Sequence, residues 1–176
     1  MHAGHGRLAG TLLAVVIPAF AAATLAGCYS FRTGSAPAHL KTIGIPPADD
    51  ASGFGRGTIR QDLTDLLTRR FRDDGSLRVT DPATADSRLE VTITSVRTNE
   101  RLSVSNASFE AVRGVTIETK VTFYDNVKKR AIFKDRPSTG RSQYLVDQGP
   151  DGETRAIREA LSNLGDDLIN ATVADW

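Results

Sequence analysis

Residues 108–124, SFEAVRGVTIETKVTFY, carry the pattern on which the fold turns. Phe109, Ala111, Val115, Ile117, Thr119, Val121 and Phe123 fall on one face of an extended chain, with Glu110, Glu118 and Lys120 on the other. Successive side chains of a strand point to opposite sides, so this period of two marks a strand with one face buried and one wet. At 3.3 Å per residue the stretch would run roughly 55 Å if straight, longer than a domain of this size comfortably holds. Gly114 is the expected break. Asp125 and Asn126 supply a turn, and Ala131, Ile132 and Phe133 begin a return strand, giving an antiparallel hairpin. Lys128, Lys129 and Arg130 stand at or just after its tip. Three cations there suit an anionic glycolipid headgroup or a phosphate. Charge at a strand end also guards against aggregation, so both readings stand.

Downstream, residues 136–152 are polar and include Pro137, Gly140, Gly149 and Pro150, which read as a long loop with a short extended piece at Tyr144, Leu145 and Val146. Loops of that length are often functional. Asp151 is placed to cap a last helix in which Ile157, Ala160, Leu161, Leu164, Leu168 and Ala171 form one apolar stripe. Trp176 is expected to pack at the end of that helix.

Upstream, Leu89, Val91 and Ile93 alternate with polar residues as a half-buried strand. Val96 is out of phase, which predicts a bulge near Thr94 and Ser95 before a polar turn around Asn99 and Glu100. Leu77, Arg78 and Val79 make a minimal strand. Before it, Ile59, Leu63, Leu66, Leu67 and Phe71 recur at helical spacing, with Thr58 and Gln61 in the capping-box relation and Asp73-Asp74-Gly75 as the stop. Residues 48–57, ADDASGFGRG, read as a mobile glycine-rich loop. Its glycines fit neither the phosphate-binding P-loop nor the dinucleotide fingerprint. Ile43 and Ile45 mark a brief first strand ended by Pro46 and Pro47. The order strand, helix, strands, helix implies an α+β fold: two helices packed on one face of a mainly antiparallel four-stranded sheet.

The chain begins with Arg7 in a short segment with two histidines, an apolar run from Leu12 to Leu25, and Leu25-Ala26-Gly27-Cys28. That layout is a secretory signal, and Pro18 interrupts a run already shorter than the 20 or so residues a spanning helix needs. The ending resembles a bacterial lipobox, in which Cys28 is diacylated and becomes the new N-terminus. It is the only cysteine, so no internal disulfide competes for it. Residues 1–27 are then the discarded signal, 28–39 the lipidated tether, and 40–176 one domain. Tyr29 follows the cysteine in place of the aspartate that holds such lipoproteins at the inner membrane, so the expected location is the periplasmic face of the outer membrane.

The chain has 22 Lys+Arg against 21 Asp+Glu, and Arg7 leaves with the signal, so the mature formal charge is zero. A general nucleic-acid binder carries a basic excess, so no nucleic-acid partner is expected. Of three histidines only His39 survives cleavage, in a Pro/Gly/Ser-rich stretch where it reads as a linker residue. With one histidine and an acylated cysteine no zinc site of the usual His/Cys kind can be assembled, and a Ser-His-Asp or Cys-His arrangement would have to use His39. Asp49 and Asp50 are adjacent in a polar loop with nothing to split their pKa values. No enzyme activity, cofactor or metal is expected.

Ile43-Gly44-Ile45-Pro46, the helix from Asp62 to Phe71, Leu77-Arg78-Val79, the run Ala85 to Glu90, and the ending Asp167-Leu168-Ile169-Asn170 to Trp176 together resemble the LptE family of lipopolysaccharide-assembly lipoproteins. Tyr29-Ser30-Phe31 after the lipobox resembles it too. The resemblance implies a non-enzymatic plug and assembly partner of the outer-membrane β-barrel LptD, held by the acyl chains on Cys28 and in contact with lipopolysaccharide. The alternative is an envelope lipoprotein similar to the CsgG/LpoB group, which assembles a secretion pore or activates a cell-wall synthase.

Overall fold

Ile43 is flanked by strands on both sides, paired in parallel with Val79 and with Ser87. Ile43 thus lies on an interior strand of a mixed sheet. The structure, a computed structural model, describes residues 37–101 and 112–173. In chain order the elements are β1 (Thr42–Gly44), β2 (Asp49–Asp50), α1 (Ile59–Asp74), β3 (Arg78–Thr80), β4 (Ser87–Arg101), β5 (Val112–Asp125), β6 (Arg130–Leu145), a 3-10 turn (Val146–Gln148) and α2 (Gly149–Val173). The sheet runs β3-β1-β4-β5-β6, and β2 pairs with β4 beyond the end of β1.

The expected α+β class and its two helices hold, but a four-stranded, mainly antiparallel sheet does not. Among the described residues six strands form the sheet, and β1, β2 and β3 join it in parallel. The helix α1 between β1 and β3 is the crossover that parallel neighbours require. Asp49 and Asp50, read as loop, form the two-residue β2, since their backbone pairs with Thr92 and Ile93 whatever their side chains are.

In α1, Ile59, Leu63, Leu67 and Phe71 recur every four residues and are buried, as the spacing predicts. Gly75 ends it in the left-handed region at φ 70°, and its N–H donates to Phe71 O. The capping box is not formed. Thr58 is itself helical and makes no side-chain cap; its carbonyl accepts the Asp62 N–H at 2.8 Å.

Strand β4 slips register between Ile93 and Ser95, the bulge that Val96 predicts, which returns Val96 to the core side. The polar turn near Glu100 is absent, and β4 runs on to Arg101 after a second slip. Gly114 does not break β5 but pairs with Glu100 and Gln143 on its two sides. The hairpin is as expected, with β5 and β6 antiparallel around residues 126–129.

Residues 136–152 are the largest departure, because most of that polar segment is strand β6. Pro137 is tolerated there because β6 is an edge strand, where an N–H can be spared. Gly140 is required by packing. A Cβ on it would stand 2.1 Å from Ala160 O, so glycine alone lets α2 settle on the strand. All six residues of the predicted α2 stripe are buried, while Asp151 falls inside the helix that Gly149 begins. Both helices share one core with Leu89, Ile93, Val115, Ile117 and Phe123. Each such fully buried side chain is worth about 1.5–3 kcal/mol of transfer free energy. Phe109, Ala111 and Trp176 lie outside the described residues.

Candidate functional site

The β5–β6 turn is tied into the body of the domain by its own polar groups. Asp125, 1% exposed, accepts the Lys128 N–H through Oδ1 at 2.8 Å and faces His39 Nε2 through Oδ2 at 2.7 Å. Burial pushes its pKa up, yet the hydrogen bonds from Lys128 and His39 outweigh this and hold the carboxyl below its ordinary value. Asn126 donates from its backbone N–H to Asp86 O at 2.8 Å and from its amide to Ala85 O at 2.7 Å. The side chains that follow are outside this net: Val127 is 56% exposed, and Lys128, Lys129 and Arg130 are exposed. Lys129 holds φ 52°, the left-handed conformation that closes the turn.

His39, read as a linker residue, is therefore a partner of the hairpin and half-buried. Beside it, Asp86 accepts the N–H groups of Lys41 and Thr42 through Oδ2, each at 3.0 Å. The hydrogen bond from Lys41 is the main reason its carboxyl lies below the ordinary range. The first described residues and the basic tip thus occupy one end of the sheet.

The sheet face turned away from the core forms the second feature. Arg88, Glu90, Thr92 and Arg97 of β4 and Glu118, Lys120 and Thr122 of β5 alternate with core residues and so point to this side. Arg97 is its hub, donating to Glu100 at 2.7 Å, Glu118 at 2.8 Å and Ser95 at 3.0 Å. Thr116 Oγ1 donates to the other oxygen of Glu100 at 2.6 Å. The Thr116 hydroxyl, then Arg97, lowers the Glu100 pKa; Arg97 lowers that of Glu118; and its own is raised in return. Arg88 pairs with Glu90 at 2.9 Å and lies over the Tyr124 ring. A groove of about 510 Å³ runs between Pro47, Asp49, Glu90, Lys120 and Lys134. Charges on this face are largely neutralised by neighbours.

Of the residues singled out in the sequence, Lys128, Lys129 and Arg130 are brought together at the turn, and Cys28 lies outside the described residues. Gly53 and Gly55 adopt positive φ in their loop, and Asp50 accepts both N–H and hydroxyl of Ser52. Among the described residues no group of three His, Cys, Asp or Glu side chains is placed to hold a metal, and no helix is long and apolar enough to cross a membrane. Nothing in the sequence alone marks the Arg97 hub. Glu118 was visible as an outward residue, but its pairing with a residue 21 positions away depends on a register that two bulges set.

The LptE family model, described as lipopolysaccharide-assembly, matches residues 40–172. The chain belongs to the LptE family. No curated protein matches it. The fold of this LptE-family chain recurs in many solved structures, two of which serve for comparison. A DUF330 protein from Xanthomonas campestris superposes with a TM-score of 0.55 at 16% identity, covering 80% of this chain and 90% of that one. A hypothetical protein from Chlamydia trachomatis gives a TM-score of 0.54 at 8% identity, covering 75% and 95%. At such identities the likeness extends to the LptE-family fold and no further.

Proposed function

We propose that this LptE-family chain is an outer-membrane lipoprotein of the lipopolysaccharide-assembly machinery, acting as plug and assembly partner of an LptD-like β-barrel. In this reading residues 1–27 are removed, Cys28 is acylated, residues 28–39 form the tether, and residues 40–176 do the work at the periplasmic face. The role is binding and positioning, with no catalytic step.

Beyond the family match, the observation that carries the reading is the sheet face that, among the described residues, neither α1 nor α2 covers. The inside of a large outer-membrane barrel is polar and wet. A face built from Arg97, Glu100, Glu118, Arg88, Glu90 and Lys120 meets such a lining without burying an unpaired charge, since most of these groups already hold a partner. The opposite face is used up by α1 and α2, whose side chains complete the core.

Depletion of the chain from its own cells tests the role. Surface-accessible lipopolysaccharide is expected to fall several-fold while its synthesis continues. An unchanged surface level after full depletion contradicts the proposal.

A further inference from the structure

We infer that the β5–β6 turn is a membrane-surface contact: Val127, Lys128, Lys129 and Arg130 seat on anionic phospholipid headgroups of the leaflet that holds the lipid anchor. The inference rests on the proposed acylation of Cys28.

Three observations carry it. Exposed Val127 is followed by three consecutive exposed cations, so the turn offers an apolar tip backed by positive charge, the chemistry of a headgroup–acyl boundary. The nearby carboxylates are turned inward: Asp125 is buried against His39 and the Lys128 N–H, and Asp86 is occupied by the N–H groups of Lys41 and Thr42. With Lys41 exposed beside them, this end presents positive charge that the bonded acids do not neutralise through direct ion pairs. Finally, the described chain begins beside the turn, a short tether's length from the proposed anchor. His39 touches Asp125, and Cys28 stands only nine positions before Pro37. At 3.6 Å or less per residue, a tether of that length reaches at most roughly 32 Å.

A lysine or arginine near an anionic leaflet contributes enough that three shift the docked-to-undocked ratio by roughly a hundredfold. That attraction fades as salt shortens the Debye length. Docking would fix the azimuth of the domain on the membrane, which an acyl anchor on a tether does not.

The test uses the lipidated mature chain carrying Val127→Cys, whose thiol alone is free when Cys28 is acylated, labelled with a fluorophore and reconstituted on phosphatidylcholine vesicles with or without phosphatidylglycerol. Quenching by acrylamide is read, with Asp147→Cys at the far end of β6 as control. The label at 127 is expected to lose most of its quenching on phosphatidylglycerol vesicles alone, to regain it at high salt, and to regain it when Lys128, Lys129 and Arg130 are changed to Glu. The label at 147 is expected to stay quenched throughout. The salt arm needs no variant of the three cations, so it decides the matter even if that variant folds poorly. Attachment to both vesicles with equal quenching overturns the contact and leaves acylation standing, whereas loss of attachment to both overturns both. Protection that requires added lipopolysaccharide overturns the phospholipid assignment in favour of glycolipid.

Discussion

His39 Nε2 and Asp125 Oδ2 stand 2.7 Å apart, joining the first described residues to the turn of the hairpin across 86 positions of chain. The carboxylate is 1% exposed and also accepts the Lys128 N–H, so it holds together the end of the sheet where β1, β4, β5 and β6 meet.

Asp125→Asn is expected to cost about 1–3 kcal/mol at neutral pH, the penalty for weakening the bonds of a buried group. The pH dependence has a definite sign. The folded carboxyl is held below its unfolded value of 3.8, so its contribution is full above that value and is lost as pH falls through the folded value. Chemical denaturation of both proteins across acid pH checks this: the gap should narrow below about pH 4. A gap that widens on acidification contradicts the assignment.

Gly140→Ala and Gly165→Ala separate two kinds of close packing. A Cβ at Gly140 meets the backbone oxygen of Ala160 at 2.1 Å, whereas at Gly165 it meets the end of the Leu66 side chain at 2.3 Å. A flexible side chain can turn aside and a helix carbonyl cannot. The first substitution should cost about 1–3 kcal/mol and the second clearly less, read as two melting temperatures. Equal losses would mean that α2 does not rest on β6 through Gly140.

This contrast shows what could be read in the sequence. The core faces of α1, α2 and β5 were legible because Ile59 to Phe71, Ile157 to Ala171 and Val115 to Phe123 each repeat a single period, and burial obeys it. Residues 136–145 were not, because their strand is specified from outside: the edge position excuses Pro137 and the helix demands Gly140. Of the short parallel strands, β1 and β3 were legible at Ile43 and at Arg78-Val79, whereas β2 is two aspartates with no period to show. At the candidate site the three cations of the turn stood out as consecutive charges. The Arg97 hub did not, since its partners come together only through pairing across two bulges.

Arg97→Ala should leave stability nearly unchanged, within about 1 kcal/mol, since its ion pairs with Glu100 and Glu118 are solvent-exposed. Under the proposed role it should weaken recovery of a β-barrel partner, because Glu100 and Glu118 would then face the lumen without their cation. A stable variant that retains the partner fully places the contact elsewhere on the domain.

Partnership itself is the central claim. The lipidated chain, purified from outer membranes in mild detergent and analysed by mass spectrometry, should bring down one large β-barrel protein in near-equal amount, with Cys28 carrying its acyl chains. Recovery of the intact, acylated chain with no β-barrel protein would contradict the account.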